Sequence, residues 1–335
     1  MNHLLQFTDK GIYCQQAGVY IDPWKPVYNA LVTHGHSDHA RRGHHEYLAH
    51  KDAVPVIRYR LGGIRIRGVE YGENIRINGV NFSFHPAGHV PGSAQIRVEH
   101  KDEVWVVSGD YKLAGDGISV PFEPVRCHTF ITESTFGLPV FHWDDQEVVY
   151  NSIRHWWKQN RDNGKTSVLI GYALGKAQHL IKALTGTEGK IFTHGAIENI
   201  NVVMREQGIP LPETTLVTPE TSREEFTGNL VVAPPSELGS PWMKKFLPYA
   251  TAMASGWMAL RGMRRRRSVD RGFVLSDHAD WEGLNRAVEA TGAENVIATH
   301  GYADIFVRWL REKGLNAMTE QTRFEGETIL GEEES

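Results

Sequence analysis

Short apolar runs, each closed by a polar or charged side chain, set the rhythm of both ends of the chain. Val19-Tyr20-Ile21 stops at Asp22 and Pro23. Ala30-Leu31-Val32-Thr33 stops at His34. Phe82-Ser83-Phe84 leads towards His89, Val104-Trp105-Val106-Val107 towards Asp110, and Thr129-Phe130-Ile131-Thr132 into Glu133. Runs this short, rich in β-branched and aromatic residues, predict strands. Residues 56–86 read as several more, Ile64-Arg65-Ile66-Arg67 having the alternation of a half-buried one. From about 144 to 210 the period becomes helical. Val149, Ile153, Trp156 and Trp157 share one face of a first helix, with Asp144 placed to cap it and Glu147 three residues on. Residues 176–184 form a second helix, with Ala177, Leu180, Ile181 and Leu184 on its apolar face. Residues 196–207 form a third, ended by Gly208 and Pro210, and strands over 214–217 and 229–233 interleave with loops. The strand rhythm then returns. Phe273-Val274-Leu275 leads to His278, Asp280 caps a helix that Gly292 ends, Val296-Ile297-Ala298-Thr299 leads to His300, and a last helix spans about 303–313.

Composition narrows the class without naming a function. The 335 residues suffice for one large domain or two ordinary ones, and 41% apolar residues is ordinary for a globular protein. A net charge of −4 gives no overall basic signal, so a nucleic-acid role has to rest on a local patch. Two cysteines, Cys14 and Cys127, cannot form a disulfide framework and suit a reducing compartment. The chain start has no basic-then-apolar leader, and no run approaches the ~18 apolar residues of a membrane span. The expectation is a cytoplasmic protein with no membrane association. The acidic tail from Glu325 to Ser335 reads as frayed.

Candidate chemistry centres on His34-Gly35-His36-Ser37-Asp38-His39. Four metal-capable side chains fall in one tight loop, and the small Gly35 and Ser37 let them converge. Imidazole suits zinc, and a carboxylate accepts a harder ion or a second zinc. A loop this rich in ligands, with more needed from elsewhere, suggests two metals in one pocket. Asp22, His34, His89, Asp110, Glu133, His278 and His300 all follow strand-like runs, where a rigid sheet presents functional groups. If the segments before 136 and after 270 form one domain, all seven meet at one edge. The middle segment is then an insertion that closes over the site. Thr193-His194-Gly195 repeats Thr299-His300-Gly301, so local pattern alone leaves either histidine as a ligand. His44 and His45 fit no ligand spacing and read as solvated.

These motifs resemble the metallo-β-lactamase fold, and specifically its β-CASP nuclease branch. Asp22, the 34–39 loop, His89 and Asp110 match successive ligand motifs. Glu133 in Thr132-Glu133-Ser134-Thr135-Phe136-Gly137 matches the acidic motif opening the β-CASP insertion, and His278 and His300 match its two later histidines. Tyr13-Cys14, Ile21-Asp22-Pro23-Trp24, Gly171-Tyr172-Ala173-Leu174-Gly175-Lys176 and Ser276-Asp277-His278-Ala279-Asp280-Trp281 look like the bacterial DNA-ligase-associated exonuclease group. The resemblance implies an α/β protein: a metallo-β-lactamase αββα sandwich from residues 1–136 and 263–335, and an inserted β-CASP α/β domain over 137–262.

Chemistry and resemblance together assign roles. His34, His36 and His89 hold one divalent ion, Asp38, His39 and His300 the second, and Asp110 bridges them; motif order selects His300 over His194. Zinc is the default ion and manganese the alternative. Asp22 orients a ligand, and His278, paired with Glu133, is the general acid for the leaving oxygen; with Asp38 these form the catalytic set. Arg264-Arg265-Arg266-Arg267 is the densest basic run and, with Lys176, is the candidate phosphate-binding surface. The glycine-rich turn before Lys176 is one residue short of a nucleotide-binding loop, but could hold one phosphate of a polymer. The expected activity is a two-metal phosphodiesterase, a DNA exonuclease of repair or end processing, working with a ligase and a helicase. An RNA-processing nuclease is the first alternative, because a histidine at the last motif resembles RNA-acting members where Artemis-like DNA nucleases carry valine. A thioesterase or lactonase of the same fold is the second.

Overall fold

The computed structural model describes residues 3–187 and 189–324, with the backbone alone at 264. Residues 3–141 and 278–324 form one compact unit and residues 142–277 another. The acidic tail expected to fray lies outside the described residues.

The first unit carries two sheets. In the first, β1 (Gln6–Phe7), β2 (Ile12–Cys14), β3 (Val19–Ile21), β4 (Asn29–Val32), β5 (Glu46–His50) and β6 (Ile66–Val69) lie in sequence order, parallel from β3 onward. Helix α1 (Val54–Leu61) connects the last two strands. Strand alternation sends Leu31 and Leu48 to one face, and Ala30, Val32, Tyr47 and Ala49 to the other, against Val54, Ile57 and Leu61 of α1. This helix falls in a stretch that read as strands. Ile57-Arg58-Tyr59-Arg60-Leu61 does alternate, but Pro55 in the first turn and Gly62 at the C-cap (φ 77°) are helix signals that outweigh the alternation.

The second sheet is β7 (Ile75–Ile77), β8 (Val80–Pro86), β9 (Ala94–His100), β10 (Glu103–Val107) and β11 (Thr129–Ser134), completed by two strands from the end of the chain. The second unit comes between. Its helices are α2 (Gln146–Asp162), α3 (Lys176–Leu184), α4 (Gly195–Glu206), α5 (Arg223–Phe226) and α6 (Met263–Arg266). Its strands β12 (Thr166–Ile170), β13 (Ile191–Thr193), β14 (Thr215–Leu216), β15 (Leu230–Ala233), β16 (Tyr249–Ala254) and β17 (Arg271–Phe273) form one all-parallel sheet. Asp145, rather than its neighbour Asp144, caps α2 by accepting from the Glu147 amide at 2.8 Å. The unit boundaries fall at 141/142 and 277/278, beyond the 136/137 and 262/263 read from the sequence. The later limit has a cause: Arg271–Phe273 finds a parallel partner in β16, Ala252 opposite Arg271.

The chain then gives α7 (Trp281–Thr291), β18 (Asn295–Gly301), α8 (Ala303–Glu312) and β19 (Asn316–Thr319) to the first unit, in sheet order β19-β18-β11-β10-β9-β8-β7. Asp280 caps α7 through the Gly283 amide, and Gly292 ends it in the left-handed region, as the sequence indicates. One core lies between the two sheets, joining Ile12, Ile21 and Leu31 to Phe82, Phe84, Ile96, Trp105, Ile131 and Ile297. The outer face of the second sheet packs Val106, Phe130, Val296 and Ala298 against Leu284, Ala287, Phe306 and Leu310 of α7 and α8. The order is therefore helix, sheet, sheet, helix: the αββα sandwich. Each of the larger apolar side chains contributes about 1.5–3 kcal/mol of burial. No helix among the described residues is long and apolar enough to cross a membrane.

The strand that carries His300 is held by a close approach only glycine allows. Gly301 has φ 79°, and a Cβ there would meet the Ser134 carbonyl oxygen at 2.3 Å and Thr135 Cα at 2.5 Å. We expect Gly301→Ala to lower stability by about 2–4 kcal/mol, combining left-handed strain with overpacking against backbone. Denaturant unfolding checks this; an unchanged midpoint would mean that β11 and β18 separate freely there.

Candidate metal centre

Strand direction assembles the site. β9 runs antiparallel to both β8 and β10, while β10, β11 and β18 are parallel, so β8, β10, β11 and β18 all point one way. Their C-terminal ends deliver His89, Asp110, Glu133 and His300 to one edge. β4 of the other sheet delivers the 34–39 loop, which the Ala94 amide ties to the second sheet by donating to the Thr33 carbonyl at 2.8 Å. Gly109 (φ 57°) allows the approach of Asp110, since a Cβ there would strike the Thr33 side chain at 2.7 Å.

Two groups of ligand atoms flank the Asp110 carboxylate. On one side His36 Nδ1 lies 3.2 Å from His34 Nε2 and 3.0 Å from His89 Nε2. Asp110 Oδ2 completes this group at 3.4 Å from His34 Nε2 and 3.8 Å from His89 Nε2. On the other side Asp110 Oδ1 lies 3.5 Å from His39 Nε2 and 3.4 Å from His300 Nε2, with Asp38 Oδ2 3.5 Å from His39 Nε2. Asp110 Oδ1, His39 Nε2 and His300 Nε2 are buried and make no hydrogen bond. A buried polar atom left so costs about 1–3 kcal/mol. Three of them turned towards one another are a donor set that fits a divalent cation. The four atoms of the first group lie within 4.8 Å of one another, as do ligand atoms of Asp110, Glu133 and His278.

Hydrogen bonds behind these atoms orient the rings. Asp22 accepts from the Thr33 amide (2.8 Å), the Thr33 hydroxyl (2.6 Å) and His39 Nδ1 (2.7 Å). With its proton given to Asp22, Thr33 Oγ1 accepts from His34 Nδ1 at 3.1 Å. Thr299 repeats the device: its hydroxyl donates to the Thr132 carbonyl and accepts from His300 Nδ1 at 3.2 Å. Nδ1 of His34, His39 and His300 is thereby engaged, which turns Nε2 of each ring towards Asp110. Asp22 holds φ 43°, a strained value for an aspartate. Glu133 accepts from the Tyr111 amide (2.7 Å), the Thr135 hydroxyl (2.6 Å) and His278 Nδ1 (2.8 Å).

Electrostatics follow from burial and crowding. Burial, helped by His39, holds the His34 imidazole down to about 4, and burial with His278 and His36 holds His89 well below its usual range. Burial also pulls His39 down, but the Asp38, Asp110 and Asp22 carboxylates outweigh it and hold the ring well above its usual range. For Asp110, burial raises the carboxyl while His39, His278, His300 and His34 outweigh it and keep it ionised. The carboxylates thus call for positive charge at their centre.

Other residues singled out from the sequence are placed differently. Lys176 is 1% exposed, and its ammonium meets the Leu275 carbonyl at 3.0 Å and Asp277 at 3.2 Å, so it is engaged inside the second unit rather than offered to a phosphate. The glycine turn before it is closed by Gln178, which accepts from the Gly175 amide. Arg265 and Arg266 are exposed and Arg267 is half-buried, on and just after α6. His194 lies in the second unit, where its ring caps α4 through the Ala196 amide. His45 is exposed, but His44 is buried, accepting from the Val27 amide, and burial takes its imidazole down to about 4. Three contributors escaped the sequence reading. Thr33 and Thr299 each immediately precede a candidate ligand histidine, a signal that was available. Phe324, whose ring stacks on His39 at 4.3 Å, gives no local signal at all.

No family model matches the chain. Over 310 residues, 92% of its length, it is 32% identical to a protein of Opitutus terrae named probable DNA ligase, of which it spans 30%. Over 119 residues it is 26% identical to an RNase of Saccharolobus solfataricus, covering 35% of this chain and 24% of that protein. The chain thus spans less than a third of either relative. A crystal structure of a protein of unknown function from Enterococcus faecalis superposes on 81% of this chain and 74% of that one, with a TM-score of 0.58 at 11% identity, a likeness of fold alone. Taken with the sandwich and its inserted parallel-sheet unit, these likenesses give the chain a metallo-β-lactamase fold of the β-CASP type and are consistent with a β-CASP nuclease related to the DNA-ligase-associated group.

Proposed function

We propose that this chain is a two-metal phosphodiesterase acting on nucleic acid, a DNA exonuclease of repair or end processing. The observation that carries the reading is the Asp110 carboxylate, each of whose oxygens faces its own group of histidine nitrogens. His34, His36 and His89 would hold one ion, Asp38, His39 and His300 the other, and Asp110 would bridge. The imidazole-rich donor set favours zinc, with manganese as the alternative. Divalent ions at these positions supply activation of water and charge stabilisation for phosphodiester cleavage. The residues around them supply orientation: Asp22, Thr33 and Thr299 fix ring tautomers and Glu133 fixes His278. His278, its ring oriented by Glu133 through Nδ1, would give a proton to the leaving oxygen.

The polymer substrate rests on the exposed arginines of the inserted unit, of no evident use to a thioesterase or lactonase, and on the family. The relative named as a ligase matches over nearly the whole chain and supports DNA, and with it association with a ligase. Processing of RNA is the second reading, favoured by His300 and by the relative named an RNase.

If His278 protonates the leaving oxygen, His278→Ala slows turnover by about a hundredfold or more while the ions stay bound, and a substrate with a better leaving group suffers less. Equal damage on both substrates would instead make His278 a phosphate-binding group.

Digestion of end-labelled single- and double-stranded DNA and RNA, at matched metal and salt, tests the substrate. DNA is expected to be cut from its ends, with Asp110→Ala inactive. Changing Arg264 through Arg267 to Ala should weaken binding and flatten its salt dependence, leaving hydrolysis of a small phosphodiester nearly unchanged. Faster cleavage of RNA overturns the DNA assignment; hydrolysis of thioesters or lactones with neither polymer cut overturns the nuclease reading.

A further inference from the structure

The chain beyond β19 turns back over the metal centre. The Glu320 amide donates to the Ala298 carbonyl at 3.1 Å, which keeps the turn beside β18. Arg41 ties it to the histidine loop from the other side: Nη2 donates to the Arg323 carbonyl at 2.9 Å and Nε to the Asp38 carbonyl at 3.2 Å. Between these ties Phe324 is 8% exposed, although it lies in a segment with no secondary structure. Its ring stacks on His39, centroids 4.3 Å apart at 14°, and meets His300 edge-on at 5.8 Å and 84°. Trp24 backs it at 5.7 Å and 78°.

Resting on the two-ion reading above, we propose that Phe324 is a positioning residue for the second ion, the one assigned to Asp38, His39 and His300. His39 has its in-plane partner in Asp22, which fixes the ring's rotation, and its face partner in Phe324, which fixes the tilt. Together they leave Nε2 one direction to point. His300 is held the same way, by Thr299 on Nδ1 and by Phe324 beside the ring. An imidazole that gives its lone pair to a cation becomes electron-poor, and a phenyl face is a favourable neighbour for it. The same ring keeps bulk water from both imidazoles. His34, His36 and His89 are oriented by other groups, so the effect of Phe324 falls on one ion.

Calorimetric titration of the full, metal-stripped chain with Zn2+ tests this without any nucleic acid. Phe324→Leu keeps most of the apolar volume and removes the aromatic face. It should weaken the second ion by about tenfold or more, the usual scale for groups supporting a ligand, and leave the first unchanged. Phe324→Tyr, which keeps the aromatic face, should bind the second ion as the wild type does. The visible absorption of Co2+ bound at the second position should change in Phe324→Leu and return in Phe324→Tyr. Wild-type affinity for both ions in Phe324→Leu overturns the assignment, as does equal weakening of both, which would mark general loosening. A wild-type chain that takes up only one ion overturns the two-ion reading and this inference with it.

Discussion

A carboxylate taken out of water must find compensating charge, and Asp110 is the group on which that constraint bears most heavily here. It is 1% exposed, yet its neighbours keep it ionised. Imidazoles supply part of the compensation, but His34 and His89 are themselves pushed towards the neutral form by burial. Oδ1 and two imidazole nitrogens face one another without a hydrogen bond among them. Cations between these groups would remove the conflict at one stroke: carboxylate satisfied, imidazoles neutral, lone pairs used. Bound ions would offset the cost of burying such a cluster.

Everything around Asp110 can be understood as holding that arrangement. Strands pointing one way bring ligands from distant parts of the chain to a single edge, so rigidity comes from the sheets rather than from the loops themselves. The close approaches at Gly109, against the Thr33 side chain, and at Gly301, against the β11 backbone, let the segments crowd together there. Strain at Asp22 is kept because its carboxylate accepts three hydrogen bonds, two from Thr33 and one from His39. Beyond the imidazoles, threonine hydroxyls and Asp22 fix which nitrogen faces inward.

Much of this geometry was legible in the sequence because strand ends and candidate ligand residues coincide. The apolar runs before His34, Asp110, Glu133 and His300 are observed strands, and their side chains do converge. What escaped had physical reasons. Helix α1 was hidden by an alternation that imitates a strand. Lys176 looked like a phosphate ligand because a glycine turn and a lysine at a helix start say nothing about burial, and its partner Asp277 is remote in sequence. His44 looked solvated because no sequence pattern reports the backbone amide it accepts from. Phe324 could not have been read at all: its neighbours His39, His300 and Trp24 come from three other segments, and no periodicity marks it.

The central claim is that Asp110 bridges two ions, one in each group of histidines. Anomalous diffraction from crystals of the full chain soaked in Mn2+ tests it most directly. The account predicts two peaks about 3.5–4 Å apart, the usual separation in two-metal sites, on either side of the Asp110 carboxylate. One peak would belong to His34, His36 and His89, the other to Asp38, His39 and His300. A single peak, or two that do not share Asp110, would contradict it.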